Sequence, residues 1–173
     1  MHPLDESTRF RRSLAQFATG VTVVTTRDAA GAPVGLTVNS FNSVSLQPPL
    51  ILWSLALKSR TLEAFERCTH YAVNVLAERQ LGVAERFATP DADRFGPRDW
   101  RDGPFGVPLV DGCVARLVAR SHSRHVEGDH VIMVGEVVYH DAAGGTPLVF
   151  HAGRYITEAV EEPLPPELRT PWR

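Results

Sequence analysis

Residues 21–39, VTVVTTRDAAGAPVGLTVN, carry the clearest secondary-structure signal in the chain. The first six, Val21 to Thr26, are all β-branched, which suits the pleated surface of a strand. Asp28 to Pro33 has the composition of a turn, and Leu36 to Asn39 resumes the strand pattern. The stretch therefore predicts a β-hairpin.

Further strands are predicted at short, regular spacing along the chain. They are Ser43–Ser45, Leu50–Leu55, Tyr71–Leu76, Cys113–His122, Val131–Tyr139 and Pro147–Phe150. Leu50–Leu55 is almost wholly apolar, so we expect it to be buried on both faces. The fourth and fifth of these strands are expected to pair as a long hairpin with a turn at Glu127–Asp129. Many strands with few helices favour a mainly β fold, a β-barrel rather than a parallel sheet with crossover helices.

An amphipathic helix is predicted at the start of the chain, from a cap at Asp5 or Ser7 to a stop at Gly20. Its apolar residues recur at helical spacing and are Phe10, Leu14 and Phe17. We expect this apolar stripe to face a core, because the charged residues of the segment fall mostly off the stripe.

Two shorter helices are predicted, at Thr61–Arg67 with Thr61 as the N-cap, and at Glu78–Ala88. The segment Thr89–Pro108 follows them and is rich in Asp, Arg, Gly and Pro. We expect it to be a polar loop. Loops of this length in compact domains are commonly functional lids or poorly ordered segments.

Composition limits the class of protein. The chain has 173 residues, which predicts a single domain over residues 1–173, and a formal net charge of -2, which argues against nucleic acid as a partner. The longest apolar run, Pro48 to Leu57, is too short to cross a bilayer, so no membrane is expected. Cys68 and Cys113 are too few for a disulfide framework, and the N-terminus lacks a signal peptide's apolar core. We therefore expect a cytoplasmic protein.

Several well-known catalytic motifs are absent from the sequence. It has no G-x-G-x-x-G after a strand, no P-loop, no G-x-S-x-G and no H-E-x-x-H. Their absence argues against a Rossmann dinucleotide site, an ATPase, an esterase and a zinc protease.

The histidines suggest little by themselves. His122 and His125 are three residues apart, and on a strand such residues point to opposite faces, so joint metal binding needs a bend. No cysteine or carboxylate completes a tetrahedral set at zinc spacing, and we predict no metal site. His130 follows Gly128-Asp129 at the start of a strand, where a lone histidine is usually just exposed.

Hydroxyl and amide side chains are concentrated where the first strands end. They are Thr37, Asn39, Ser40, Asn42, Ser43 and Ser45. Turn chemistry explains such residues, because Asn and Ser bond their own backbone in loops. A hydrogen-bonding rim for a planar polar ligand explains them equally well, and the residues alone leave both explanations open.

Lys58–Thr61, with the sequence Lys-Ser-Arg-Thr, directly precedes a predicted helix. Two cations, two hydroxyls and the free N–H groups of a helix N-terminus suit an anion. By itself the segment is explained slightly better by a capping Thr61 with solvated cations. Combined with the hydroxyl cluster, it makes a phosphate-bearing cofactor more attractive.

Several segments, taken in order, match one protein family. They are residues 17–25 (FATGVTVVT), residues 35–45 (GLTVNSFNSVS) with Pro48-Pro49, Lys58–Thr61, Tyr71–Leu76, Arg86–Ala88, Gly128–His130 and Gly153–Tyr155. Each is weak alone, but the ordered combination is specific and runs from about Phe10 to Tyr155. In these segments the chain resembles the short-chain flavin reductases, which supply reduced flavin to two-component flavin-dependent monooxygenases.

The resemblance implies an FMN-binding split β-barrel of Greek-key type with a few short peripheral helices. The core is expected over residues 10–155 and an extended tail over residues 156–173. The cofactor is expected to be FMN or FAD, and the reductant NADH or NADPH. The family also implies a homodimer with flavin sites near the subunit interface, and a separate flavin-dependent monooxygenase that receives the reduced flavin.

The resemblance also implies roles for individual residues. Those expected to contact the flavin are Thr37, Val38, Asn39 and Ser40 against the isoalloxazine, Trp53, Ser54 and Leu55 along it, and Ser59, Arg60 and Thr61 at the phosphate. His130 is the expected catalytic residue near the nicotinamide nucleotide, with Arg154 and Tyr155 beside it. Its imidazole is expected to orient the nicotinamide or to neutralise phosphates when protonated.

The leading hypothesis is an NAD(P)H:flavin oxidoreductase, in which the cofactors supply the reactivity and no acid–base dyad is needed. The alternative is an FMN-binding electron carrier or sensor without efficient use of NAD(P)H. A second alternative is a split-barrel oxidase that acts on a phosphorylated pyridine, against which the hydroxyl-rich rim and the few cations argue. A purely structural module is the least favoured alternative, because the hydroxyl and amide side chains of the rim would then have no function.

Overall fold

The computed structural model describes residues 5–96 and 99–157, so all of the predicted tail beyond residue 157 lies outside the described residues. The helices are α1 (Glu6–Leu14), α2 (Leu62–Arg67) and α3 (Leu81–Ala88), and a 3₁₀ turn at Glu78–Gln80 precedes α3. The strands are β1 (Thr19–Gly20), β2 (Thr22–Arg27), β3 (Pro33–Val38), β4 (Asn42–Leu46), β5 (Pro49–Ala56), β6 (His70–Val75), β7 (Trp100–Asp102), β8 (Pro108–Val110), β9 (Ala115–Glu127), β10 (His130–Ala142), β11 (Val149–His151) and β12 (Arg154–Ile156).

Seven strands form one antiparallel sheet in the order β3-β2-β6-β9-β10-β5-β4. A three-stranded sheet, β1-β11-β12, and the pair β7-β8 accompany it. The fold is mainly β with few helices, as the strand spacing predicted. Strands β3 and β4 lie at the two edges of the large sheet. None of the helices in the described ranges is long and apolar enough to cross a membrane.

Both predicted hairpins are confirmed. Strands β2 and β3 pair from Thr22 opposite Val38 to Arg27 opposite Pro33. Strands β9 and β10 pair across a turn at Gly128, and each has 13 residues, which is longer than predicted. Gly128 has a φ of 60°, a value that favours glycine over residues with a side chain.

The prediction that residues 50–55 are buried on both faces is wrong. Ile51, Trp53 and Leu55 are buried, whereas the residues between them on β5 are half-buried. Successive residues of a strand point to opposite faces, so only one face of β5 packs on the core. The sequence concealed this because Leu50 and Leu52, on the outer face, are also apolar.

The prediction that Thr89–Pro108 is a polar loop is wrong in part. Strand β7 lies within it and pairs with β8, with Trp100 opposite Val110. The Trp100 indole also donates a 2.9 Å hydrogen bond to the carbonyl of Phe95. A strand of three residues is too short to show the alternation by which strands are recognised.

Helix α1 begins as predicted, because the Asp5 side chain accepts a 2.8 Å hydrogen bond from the Thr8 backbone N–H. None of its residues is buried, however. The helix also ends at Leu14, earlier than the predicted stop at Gly20, so Phe17 lies outside it. Phe10, Leu14 and Phe17 are 62%, 58% and 76% exposed, so the prediction that this stripe faces a core is wrong for the chain by itself.

Three aromatic side chains form the centre of the core under the large sheet. Trp53 packs edge-on against Phe65 and Tyr71, with ring centroids 4.9 Å and 5.8 Å away, and none of the three is more than 2% exposed. Edge-to-face pairs of this kind add to the stabilisation from area burial. They join β5, α2 and β6, and thereby fix both ends of the segment between β5 and α2.

Asn74 links β6 to its neighbours from a fully buried position. Its amide nitrogen donates to the Val23 carbonyl at 2.9 Å and to the Thr25 hydroxyl at 3.2 Å. Its amide oxygen accepts from the Val110 N–H at 2.9 Å. The side chain thus satisfies backbone groups on β2 and β8 that have no access to water, which buried polar groups require.

Candidate functional site

A groove of about 770 Å³ lies between β3 and two connecting segments, and we call it the main groove. Residues 33–37 of β3 form one wall, Ser59–Thr61 form another, and residues 87–95, at the end of α3 and beyond it, form the third. A groove of this volume is in the size range of small-molecule and cofactor sites.

The segment Ser59–Thr61 presents hydroxyls and a cation to the main groove. The Ser59 and Thr61 hydroxyl oxygens are 2.9 Å apart, and the Thr61 N–H donates to the Ser59 hydroxyl at 3.3 Å. Thr61 occupies the N-cap position of α2 as predicted, but its side chain forms no capping hydrogen bond and its dihedral angles are helical. Helix α2 has only six residues, so the hydroxyls and Arg60 are the groups that suit an anion here.

Arg94 and Asp91, in the loop after α3, contact the other two walls of the main groove. Arg94 donates to the Gly35 carbonyl at 2.8 Å and to the Thr89 carbonyl at 3.2 Å. Partial burial lowers the pKa of the Arg94 guanidinium, although arginine remains charged at any ordinary pH. Asp91 forms an ion pair with Arg60 from a backbone with a φ of 61°, which is uncommon outside glycine.

The hydroxyl and amide cluster is used mainly within the protein. The Thr37 hydroxyl donates to the Ala84 carbonyl at 2.6 Å, and the Ser40 hydroxyl accepts from the Ser54 N–H at 2.9 Å. Asn42 accepts from the Ser43 N–H at 2.9 Å. Turn and strand contacts therefore explain several members of the cluster, while the exposed Asn39 has no side-chain hydrogen bond within the described part of the chain.

Three of the predicted flavin-contacting side chains point into the core. Val38, Trp53 and Leu55 are 8%, 0% and 1% exposed. Their side chains cannot line an open groove in this structure, so the predicted contacts at these positions are restricted to main-chain groups. Ser54 lies on the opposite face of β5 and is hydrogen-bonded to Ser40, in the connection between β3 and β4.

His130 lies at the start of β10, opposite Ala56 of β5. Directly opposed residues share a face, so His130 is on the same outer face of the sheet as Ser54, which is opposite Ile132. The His130 Nδ1 atom is 2.6 Å from the Asp129 carboxylate, and this contact lowers the pKa of Asp129. His130 is near the chain segment that leads to Ser59, because the Asp129 carbonyl accepts from the Leu57 N–H at 2.9 Å.

Tyr155 lines a smaller cavity that adjoins the main groove at Thr37, whereas Arg154 lines neither. Tyr155 packs edge to face against Phe150, with ring centroids 5.3 Å apart. It lines a cavity of about 200 Å³ together with Thr37 and Asn39. Burial raises the pKa of its phenol. Arg154 is exposed and borders a separate depression.

The structure thus brings Thr37, Ser59, Arg60 and Thr61 to one groove, with Asn39 and Tyr155 adjoining it. It places His130 nearby but outside the lining of that groove. Sequence reasoning missed Arg94 and Asp91, for which the only available signal was the density of charged residues after Arg86–Ala88. No cluster of three or more potential metal ligands occurs among residues 5–96 and 99–157.

Comparison with known proteins gives a consistent result. The model of the flavin reductase-like domain family matches residues 14–159. The chain is 44% identical over 151 residues to an FMN reductase (NADH), SmoA, of Agrobacterium fabrum, covering 87% of this chain and 86% of that protein. It is 39% identical over 166 residues to HsaB, the reductase subunit of a flavin-dependent monooxygenase of Rhodococcus jostii, covering 95% and 83%. By contrast, it spans 47% of a probable flavin reductase of Rhizobium meliloti, with 44% identity.

Solved structures agree with the sequence comparison. The NADH:FAD oxidoreductase SgcE6 of Streptomyces globisporus, solved with NAD and FAD fragments, superposes with a TM-score of 0.84 at 35% identity. The superposition covers 92% of this chain and 98% of that one. Together with the family match over residues 14–159, these similarities establish that the chain belongs to the family of flavin reductase-like domains.

Proposed function

We propose that this protein is an NAD(P)H:flavin oxidoreductase that supplies reduced FMN or FAD to a separate flavin-dependent monooxygenase. The observation that carries the proposal is the main groove, which holds Ser59, Arg60 and Thr61 at one side and Thr37 at another, in a flavin reductase-like chain. The relatives' names, an NADH-dependent FMN reductase and a monooxygenase reductase subunit, support the choice of reductant and recipient.

The donors present in the main groove fit a flavin nucleotide. The Ser59 and Thr61 hydroxyls and the Arg60 guanidinium are suited to hold its phosphate, since charge-assisted and hydroxyl bonds are those that phosphates prefer. The exposed Asn39 and the main chain of residues 37–40 are suited to bond the pyrimidine edge of the ring. Tyr155 and Phe150 offer aromatic surface beside that edge.

The protein's own task in this reaction is to orient two rings and to exclude water. Flavin, when bound, accepts a hydride from reduced nicotinamide and supplies the redox chemistry. The residues must hold the two rings close together and offer hydrogen-bond donors where negative charge grows. His130 is the proposed catalytic residue, and its contact with Asp129 fixes the orientation of the imidazole.

The test is an activity panel on the full chain. Purified protein is mixed with FMN or FAD and with NADH or NADPH, and the nicotinamide absorbance near 340 nm is followed. We expect oxidation of NADH with at least one flavin, and transfer of the reduced flavin to a flavin-dependent monooxygenase. Bound flavin that is reduced only slowly by either nucleotide would identify an electron carrier or sensor instead, and the absence of flavin binding would refute both.

We also propose that the sheet belongs to a split β-barrel within one domain of a cytoplasmic homodimer. The short connection of residues 39–41 supports closure, because it joins β3 to β4, the two edges of the large sheet, and Ser40 within it is hydrogen-bonded to Ser54 of β5. The exposed Phe10 and Leu14 and the half-buried outer face of β5 and β10 support a second copy as the covering partner. The unpaired Cys68 and Cys113 are consistent with a reducing compartment.

The dimer is tested by light scattering after gel filtration. We expect twice the chain mass of 19.1 kDa for the native protein and a shift toward one chain mass for the double variant Phe10→Asp, Leu14→Asp. A native protein that elutes at one chain mass at micromolar concentration would overturn the dimer and leave the proposed reaction intact.

A further inference from the structure

A second groove continues from the main groove past Arg60. Its volume is about 440 Å³, and it shares Val34, Arg60 and Thr61 with the main groove. It runs between the β2–β3 turn and helix α2. A ligand whose phosphate lies at Ser59–Thr61 therefore has a continuous path beyond that phosphate, on the side away from Thr37.

The charges of the second groove suit a further phosphate. Arg60 and Arg67 both border it, and each is exposed. Within the described ranges each is bound only by an exposed carboxylate, Asp91 and Glu63 respectively. Ion pairs of this kind contribute little stability, so their arginines can exchange a carboxylate for a ligand phosphate at small cost. Arg27 also borders the groove, but it is held by Asp102 and by two backbone carbonyls.

The remaining walls suit a nucleoside. The small apolar side chains Ala29, Ala30 and Ala64 leave room for a flat ring. Asp28 binds the N–H groups of Ala30 and Ala32 through Oδ1 at 2.9 Å and 2.8 Å, and its Oδ2 has no partner in the described ranges. A free carboxylate oxygen can accept hydrogen bonds from the hydroxyls of a ribose.

We infer that the second groove binds the adenosine monophosphate half of FAD, and that Arg67 contacts the second phosphate. The inference rests on the proposed function, because it takes the flavin phosphate to lie at Ser59–Thr61. FMN ends at its single phosphate and leaves the second groove without a ligand. Arg67 is therefore a specificity-determining residue, and the protein binds FAD more tightly than FMN.

The test compares both flavins on the full-length protein. Dissociation constants are measured by calorimetry for FAD, FMN and adenosine monophosphate with the native protein, Arg67→Ala and Arg9→Ala. Arg9 is the matched control, because its ion pair with Glu6 within α1 is exposed, like the ion pair of Arg67 with Glu63 within α2. We expect FAD to bind about tenfold more tightly than FMN, and Arg67→Ala to weaken FAD about tenfold while FMN changes less than about twofold. Arg9→Ala changes neither.

Competition provides an independent readout. Adenosine monophosphate should displace FAD from the native protein and should bind together with FMN. Equal affinities for the two flavins, equal weakening of both by Arg67→Ala, or displacement of FMN by adenosine monophosphate would overturn the inference while the proposed reductase stands. If neither flavin binds and no NADH or NADPH is oxidised, the proposed function itself has failed, and the inference fails with it.

Discussion

The core under β5 and the rim of the main groove are connected through the segment between β5 and α2, which carries Ser59–Thr61, but they hold their residues differently. In the core, Trp53, Phe65 and Tyr71 pack edge to face, and none of them is more than 2% exposed. At the rim, Arg60 and Asp91 are joined by an exposed ion pair that a ligand can replace. We therefore expect changes in the core to affect mainly stability and changes at the rim to affect mainly binding. Four variants and one thiol reagent test this expectation.

The largest effect is expected where the core is tightest, at Gly135 of β10. A Cβ at this position would lie 2.8 Å from the Ala119 Cβ and closer still to the Tyr71 hydroxyl. Gly135→Ala should therefore lower the free energy of unfolding by about 3 kcal/mol, measured by urea denaturation. The matched control is Gly82→Ala on α3, where nothing lies within 4 Å of the new Cβ; it should stabilise the protein by about 0.5–1 kcal/mol. Similar effects of the two variants would contradict a tight core.

The second effect concerns the polar part of the same core. Asn74→Ala leaves the Val23 carbonyl and the Val110 N–H buried without their partner. We expect a loss of about 2 kcal/mol in unfolding free energy. Asn39→Ala at the exposed rim should change stability by less than about 0.5 kcal/mol. If Asn39→Ala were the more damaging of the two, the contrast between core and rim would be wrong.

The third effect should appear in binding and leave stability unchanged. His130→Ala removes a side chain that is 47% exposed and lies beside the turn between β9 and β10. We expect the KM for NADH to rise about tenfold, equivalent to about 1.4 kcal/mol, with flavin affinity altered less than twofold. His125→Ala, on the facing strand, is the control and should change neither constant. Equal loss of nicotinamide and flavin affinity by His130→Ala would show that its role is misassigned.

A smaller and mixed effect is expected at Arg94, which belongs to both regions because it binds the Gly35 carbonyl and lines the groove. Arg94→Ala should cost about 1 kcal/mol of stability. Hydrogen exchange of residues 89–96 should become faster, because the segment loses its bond to β3. Unchanged exchange there would mean that the loop is held by its other contacts alone.

The smallest effect distinguishes the two thiols. Burial raises the pKa of Cys113 to about 12, and burial also raises the pKa of the half-buried Cys68 beside the second groove. A raised pKa means less thiolate at neutral pH, and the thiolate is the reactive form. We expect slow labelling of Cys68 by a thiol reagent, faster as the pH rises, and labelling of Cys113 only after unfolding. Rapid labelling of Cys113 in the native protein would show that the buried cluster around it, which includes Val21, Leu76 and Leu148, opens readily.

The strands could be predicted well from the sequence, but the surfaces that pack against apolar faces could not. Hairpins at residues 21–39 and 115–142 were predictable, because β-branched runs and turn residues act locally. The apolar stripe of Phe10 and Leu14 indicated that α1 needs a partner. It carried no information on whether that partner lies within the same chain.

The site was predictable as a set of segments and less so as side chains. Ser59–Thr61 and Thr37 do meet at one groove. Trp53 and Leu55 could not be recognised as core residues, because the apolar residues on both faces of β5 hide the alternation. Arg94 could be seen only as one of several charged residues after α3, and its contact with Gly35, which joins residues 59 positions apart, could not be foreseen.

The two edges of the large sheet have a consequence for solubility. An edge strand offers unpaired backbone groups to any other chain, which makes it a template for aggregation. On β3, Pro33 has no N–H to offer, and Arg94 occupies the Gly35 carbonyl. On β4, the pairing shifts between Ser43 and Ser45, and such an irregularity twists an edge away from regular pairing. Each edge is therefore a poor template for a further strand, which disfavours edge-to-edge pairing between the sheets of different molecules.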